Sequence, residues 1–117
     1  MYALKNKVQL IGHLGATPDI RNLESGRKHA RFSLATTETY KNDKGEKVHQ
    51  PQWHQIVCWG KVAELVEKYC DKGSEVALEG KLMYRQYEDK EGVNKYITEV
   101  EIHEILLLDK PKAKDNE

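Results

Sequence analysis

The sequence predicts an all-β domain: five strands closing into a small Greek-key barrel, with one helix between the third and the fourth. Three observations predict it. Five stretches alternate apolar and polar residues with period two, as strands do when one face meets a core. A single stretch, after the third of them, switches to helical spacing. Glycines also stand inside strand runs, at Gly12 and Gly80, where a barrel wall bends or another backbone comes close.

A chain of 117 residues is long enough for one hydrophobic core without staples. Its formal net charge is zero, so overall basicity does not argue for a nucleic-acid partner. The distribution is uneven: residues 1–70 hold 11 Lys/Arg against 7 Asp/Glu, and residues 71–117 hold 8 against 12. That permits a basic face and equally permits charges spread evenly in space. Two cysteines, Cys58 and Cys70, without a CxxC spacing, fit a reducing cytoplasm better than a disulfide framework. No apolar run has the length of a signal peptide or a membrane span, and the expected location is cytoplasmic.

The first strand runs over Val8–Gly15, with Val8, Leu10, Gly12 and Leu14 on its core face. Ala16-Thr17-Pro18-Asp19 makes a turn, residues 19–23 extend the strand, and Glu24-Ser25-Gly26-Arg27 reverses the chain. The second strand, Lys28–Thr39, sets Ala30, Phe32, Leu34 and Thr36 inward, and its Thr-rich end favours strand over helix. Lys41–Lys47 has turn chemistry and tips a long polar hairpin. The helix follows Gly60, with Val62, Leu65, Val66 and Tyr69 at i, i+3, i+4 and i+7, and Gly73 suits the left-handed position after it. In the fourth strand Val76, Leu78, Gly80 and Leu82 alternate with Glu75, Ala77, Glu79 and Lys81, and the strand runs out to a second polar tip at residues 88–92. Tyr96, Thr98, Val100 and Ile102 share a face of the fifth, until Ile105-Leu106-Leu107-Leu108 breaks the alternation as a core cap or a subunit contact. Residues 110–117 read as a short charged disordered tail after a domain spanning 1–109.

The third strand holds both tryptophans of the chain, six residues apart in Gln50–Gly60. Alternation puts Trp53, Gln55, Val57 and Trp59 on one face and His54, Ile56 and Cys58 on the other. Choosing the tryptophan face as core would expose Ile56 and Cys58 and bury Gln55, so the tryptophans are expected outside. At about 3.3 Å per residue the rings stand roughly 20 Å apart, too far to sandwich one ligand ring but suited to separate stations along an extended polymer.

Three strands, a helix and two strands is the element order of the OB-fold, a partly open barrel that binds oligonucleotides or oligosaccharides on its second and third strands. A small α+β domain with the same elements stays open. Base stacking on aromatic rings is sequence-tolerant, and cations track the phosphates. Tyr40 and Tyr87, at the roots of the two hairpins beside Lys41 and Arg85, are further stacking candidates or plain hairpin staples. Tyr84 and Tyr96 are weaker candidates, and Tyr69 is expected in the core.

Asn6-Lys7-Val8-x-Leu10-Ile11-Gly12-x-Leu14-Gly15-x-x-Pro18, Phe32-Ser33-Leu34-Ala35-Thr36, Trp53-His54-x-x-Val57-x-Trp59-Gly60-Lys61-x-Ala63-Glu64 and Lys72-Gly73-Ser74-x-Val76-x-Leu78-Glu79-Gly80 occur in this order. Together they resemble the bacterial single-stranded DNA-binding proteins, over about residues 4–105. The resemblance implies an OB-fold homotetramer that coats single-stranded DNA in replication, recombination and repair, without a cofactor. It places the family's stacking aromatics on Tyr40, Trp53, Trp59 and Tyr87, where better-known members often carry Trp first and last and Phe third. It matches Lys7, Arg21, Lys61, Lys72 and Arg85 to phosphate-contacting cations, and His54 to a subunit contact, with a satisfied strand histidine as the equal alternative. In one respect the sequence departs from the family. Members continue into a Gly/Pro/Gln-rich tail with an acidic tip and terminal Phe that recruits replication and repair proteins, whereas this sequence ends at Asp109–Glu117.

The five histidines show no metal-ligand spacing, and there is no Walker loop, GxSxG or other catalytic constellation. A non-enzyme without a metal site is expected. Competing readings are a primosome-type or other protein-interaction OB module, and an oligosaccharide or RNA binder.

Overall fold

A computed structural model describes residues 2–109. After a short turn of helix, α1 (Tyr2–Lys5), the chain forms β1 (Val8–Leu14), β2 (Asp19–Asn22), β3 (Lys28–Lys41), β4 (Lys47–Trp59), α2 (Gly60–Tyr69), β5 (Glu75–Glu88) and β6 (Asn94–Leu107). One sheet contains all the strands, in the order β1-β5-β6-β4-β3-β2. It closes because β1 also pairs with β3, at His13↔Ala35 and Leu14↔Leu34. The β4–β6 seam is the parallel one, at Ile56↔Val100 and Val57↔Glu101. This is the predicted five-strand barrel with its first strand in two pieces, β1 and β2. The break falls at Pro18, which has no N–H to give a ladder.

The two internal glycines sit where backbones cross. A Cβ on Gly12 would collide with the Ala35 carbonyl, and one on Gly80 with the Glu101 carbonyl. Gly12 therefore lets β1 pass from β5 to β3. Asn6 pins the start of β1 by exchanging two hydrogen bonds with the Leu82 backbone: its Nδ2 donates to the carbonyl at 3.0 Å, and its Oδ1 accepts from the N–H at 2.8 Å.

The core follows the predicted rows. Leu14, Ala30, Phe32, Leu34, Ile56, Cys58, Val76, Leu78, Val100 and Ile102 are buried together. Three details differ from expectation. The inward stripe of α2 is Ala63, Val66 and Cys70, with Val62 at its edge, while Leu65 is exposed. The stripe follows the spacing i, i+3 and i+7, and all three of its residues are fully buried. The helix ends in an extended Cys70, and Gly73 (φ 89°) serves the following Asp71–Ser74 turn instead of capping the helix. Finally, the broken alternation near residue 105 has a backbone cause. Glu79 pairs with Glu104 and Gly80 with Ile102, so His103 is a bulge residue. One extra residue reverses the facing of everything after it. Ile105 and Leu107 thus pack on the core, while Leu106 and Leu108 are exposed.

Beyond the barrel, β3–β4 stays paired out to Lys41↔Lys47 and β5–β6 out to Glu88↔Asn94. Asn42 and Asp89 each accept two backbone N–H bonds at these tips, and Gly45 and Gly92 take positive φ. The tail expected at 110–117 lies outside the described residues.

Candidate nucleic-acid interface

The outward face of β3 and β4 is built by their direct pairs: His29↔Trp59, Arg31↔Val57, Ser33↔Gln55 and Ala35↔Trp53. Paired residues share a face, so both tryptophans are presented on one surface. Trp53 is 59% exposed. Its indole lies back over Gly15, where an added Cβ would stand 2.5 Å from Cζ3 and 2.8 Å from Cη2. Trp59 is half-buried. The Arg27 guanidinium lies 4.4 Å from its ring centroid, and the His29 ring is 4.4 Å away at 56°. Burial first, then the Arg31 charge, lowers the His29 pKa below its ordinary value.

Between the tryptophans the surface is not bare. Val57 is buried, with Arg31 beside it on β3 and Glu101 on β6. Glu99 of β6, on the same outward side, is 5% exposed, the one buried charged residue among the described residues. Its Oε2 accepts from Arg85 Nη2 at 3.0 Å and its Oε1 from Arg85 Nε at 3.3 Å, while Arg31 Nη2 forms an ion pair with Oε2, also at 3.0 Å. The Arg85 hydrogen bonds, reinforced by the Arg31 charge and opposed by burial, hold the Glu99 carboxyl below the usual carboxylate range. These contacts raise the Arg85 pKa in turn.

On this geometry the comparisons with known proteins converge. Residues 5–108 match the model of the single-strand binding protein family. The chain belongs to that family. It is 44% identical over 106 residues, 90% of its length, to the single-stranded DNA-binding protein 1 of Xylella fastidiosa. It is 42% identical over 104 residues, 88% of its length, to the protein of the same name from Chlorobaculum tepidum. The chain spans 78% and 64% of the lengths of these relatives. A solved structure described as a Plasmodium falciparum SSB complex with ssDNA superposes with a TM-score of 0.80 at 35% identity, covering 89% of this chain and 95% of that one. The barrel is thus the OB-fold, and a family of binding proteins, not of enzymes, is the one to which the chain belongs.

In this SSB-family chain the expected site residues divide into groups. Trp53 and Trp59 share the outward face of β4, and Tyr87 (43% exposed) lies two residues beyond Arg85 in the corresponding row of β5. Tyr40 is also exposed, but it pairs with Val48 in an unbroken ladder. Alternation therefore puts it in the row of Phe32 and Leu34, on the other side of the ribbon from Trp53. Tyr84 and Tyr96, expected to matter less, are the most exposed aromatics among the residues whose burial is described, at 70% and 73%. They are diagonal neighbours through Tyr84↔Thr98 and Gln86↔Tyr96. Tyr69 is only part-buried, under the ammonium of Lys68.

The cations divide as well. Arg21 pairs across the ladder with His29, near Trp59, and contacts Asp19 at 3.7 Å. Lys61 is exposed in the first turn of α2, and Lys72 is exposed in the 71–74 turn. Lys7 is held by Glu79 at 3.6 Å on the β1–β5 side of the barrel, away from β4. Arg85 belongs to the Glu99 group. His54 is part-buried beside Leu34, and its Nε2 is 2.9 Å from Thr36 Oγ1.

Sequence reasoning missed Arg27, His29, Arg31 and Glu99. Only pairing across strands brings them to the tryptophan face, although the basic run Arg27-Lys28 next to a turn was a visible signal. It also missed a grouping of Glu79, His103 and Glu104 created by the bulge, with ligand atoms within 4.8 Å of one another. Lys7 and His103 already engage Glu79 there. No helix among the described residues is long and apolar enough to cross a membrane.

Proposed function

We propose that this chain binds and protects single-stranded DNA without sequence preference, in replication, recombination and repair in the cytoplasm, with residues 1–109 as the binding and assembly domain. The observation that carries the reading is the outward β3–β4 face: one exposed and one half-buried tryptophan, with arginines beside them, on the sheet face by which OB-folds bind nucleic acids. The relatives' names and the ssDNA complex of the structural neighbour support it. Bases stack on Trp53, Trp59 and Tyr87, with Tyr40 serving DNA that wraps around the β3–β4 hairpin. Arg21, Lys61, Lys72 and Arg85 take phosphates, and Lys7 does so where the strand crosses β1. Titration with oligo-dT at low salt quenches tryptophan emission, and log affinity falls with log salt by about 0.7 per phosphate neutralised. Absence of quenching at low salt overturns the reading.

The same chain assembles as a homotetramer. The β1 backbone over Val8–Gly12 pairs with β5 on one side, while its β3 pairing is confined to His13 and Leu14. Left unpaired among the described residues, such an edge is a template for another strand. Beside it, Ile11 and Leu106, each more than 60% exposed, line an outward groove with Leu10, Ala77 and Leu78. Native mass measurement is expected to give four chains of 13.5 kDa. Ile11→Glu with Leu106→Glu should lower that mass while leaving the circular dichroism spectrum unchanged. A wild-type monomer overturns the assembly.

A further inference from the structure

We propose that Arg31 and Arg85, joined through one carboxylate oxygen of Glu99, form a phosphate subsite between the tryptophan row and the β5–β6 hairpin, and that Glu99 is its positioning residue. The inference rests on the DNA-binding reading and adds to it a site whose key member carries the charge DNA repels.

The starting point is a buried carboxylate on a surface meant for a polyanion. Burying a charge is costly unless it is paired and hydrogen-bonded. Glu99 meets that condition through three contacts to two guanidiniums from different strands. Since both Nη2 atoms lie 3.0 Å from the same oxygen, they stand no more than twice that distance apart. Two cations so close repel each other, and the shared carboxylate offsets the repulsion. The trio keeps one net positive charge.

The arrangement leaves the arginines available and hides the acid. The Glu99 side chain is 6% exposed, whereas those of Arg31 and Arg85 are 34% and 46% exposed. Each guanidinium carries five N–H donors in a planar fork. Arg85 commits Nε and Nη2 to Glu99 by hydrogen bonds, and Arg31 approaches the carboxylate through Nη2 as an ion pair, with no further acceptor for either side chain among the described residues. The remaining donors suit two oxygens of one phosphate or of successive phosphates. Position fits as well. Arg31 is the ladder partner of Val57, which lies between Trp53 and Trp59 in their row, and Arg85 precedes Tyr87 by one step in its row. A strand stacked on the tryptophans and then on Tyr87 crosses the trio. Fixing two long side chains beforehand removes their ordering from the cost of binding.

The test is a set of oligo-dT titrations by tryptophan quenching at low salt, with circular dichroism of each variant. Although Glu99→Gln removes a negative charge from the binding face, it is expected to weaken binding, by about threefold or more, because the arginines separate. Arg31→Met should cost about tenfold in the wild-type background. In the Glu99→Gln background it should cost no more than about twofold, the non-additivity of residues acting as a unit. Arg31→Lys keeps the charge but not the fork and should lose most of what Arg31→Met loses. Unchanged or tighter binding by Glu99→Gln, or wild-type binding by Arg31→Lys, overturns the subsite. Should Glu99→Gln fail to fold, the Arg31→Lys comparison decides alone. Failure of the wild-type protein to quench overturns the DNA-binding reading itself, and the two failures are thereby distinguished.

Discussion

Gly15→Ala tests whether the resting place of Trp53 matters for binding. Gly15 is not among the glycines with positive φ, so alanine fits the backbone. Such a replacement gains about 0.4–1 kcal/mol by restricting the unfolded chain. Against this, the new methyl would sit 2.5 Å from Trp53 Cζ3 and 2.8 Å from Cη2, and carbon atoms rest at about 3.5–4.0 Å. The indole must retreat by about 1 Å, and an off-rotamer adjustment costs about 0.5–1.5 kcal/mol. The two terms nearly cancel, so the melting temperature should hardly move. Binding should respond more. A stacked base is worth about 1–3 kcal/mol by alanine substitution, and a displaced ring loses part of it, about 1 kcal/mol or roughly fivefold in affinity. Oligo-dT titration of Gly15→Ala, Trp53→Ala and the double variant, with thermal melts, provides the assay. Gly15→Ala should have no further effect once Trp53 is gone. An equal loss in both backgrounds would show that Gly15 acts through the backbone. Unchanged affinity in Trp53→Ala would remove this tryptophan from the binding path.

Trp59→Ala should weaken binding and, unlike Trp53→Ala, also lower the melting temperature, because it loses burial together with its Arg27 and His29 contacts. Acid should expose the Glu99 trio. With the folded pKa held below the unfolded value of about 4.3, its stabilisation is complete above that value and is lost as pH falls through the folded one. Urea melts between pH 6 and 3 should show a steeper decline for the wild type than for Glu99→Gln. Burial pushes the Cys58 thiol up to about 12, so a thiol reagent at pH 8 should leave Cys58 unmodified in the native protein and label it only in denaturant.

Period-two alternation settles which rows of a strand can face a core, and it is local: it needs only residues i and i+2. The sequence alone thus determined the inward rows of β1, β3 and β5 and the outward setting of Trp53. Turn chemistry, equally local, located both hairpin tips. Even the element order, a global feature, could be read because each element announces its own period. The tertiary structure decided whatever depends on register between distant segments. The bulge at His103 turned the Ile105–Leu108 run into one more inward row, and nothing near residue 103 signals that a partner strand lacks a matching residue. Packing placed Ala63 and not Leu65 in the inner stripe of α2, a rotation of the helix about its axis that its own apolar spacing leaves open. Charges were the least legible. Glu79 pairs with Lys7 and Glu99 with Arg85, and the residues around them in the sequence signal neither pairing. An ion pair forms wherever folding brings two side-chain ends together, and the long flexible stems of Lys and Arg erase any trace of that meeting from the local sequence.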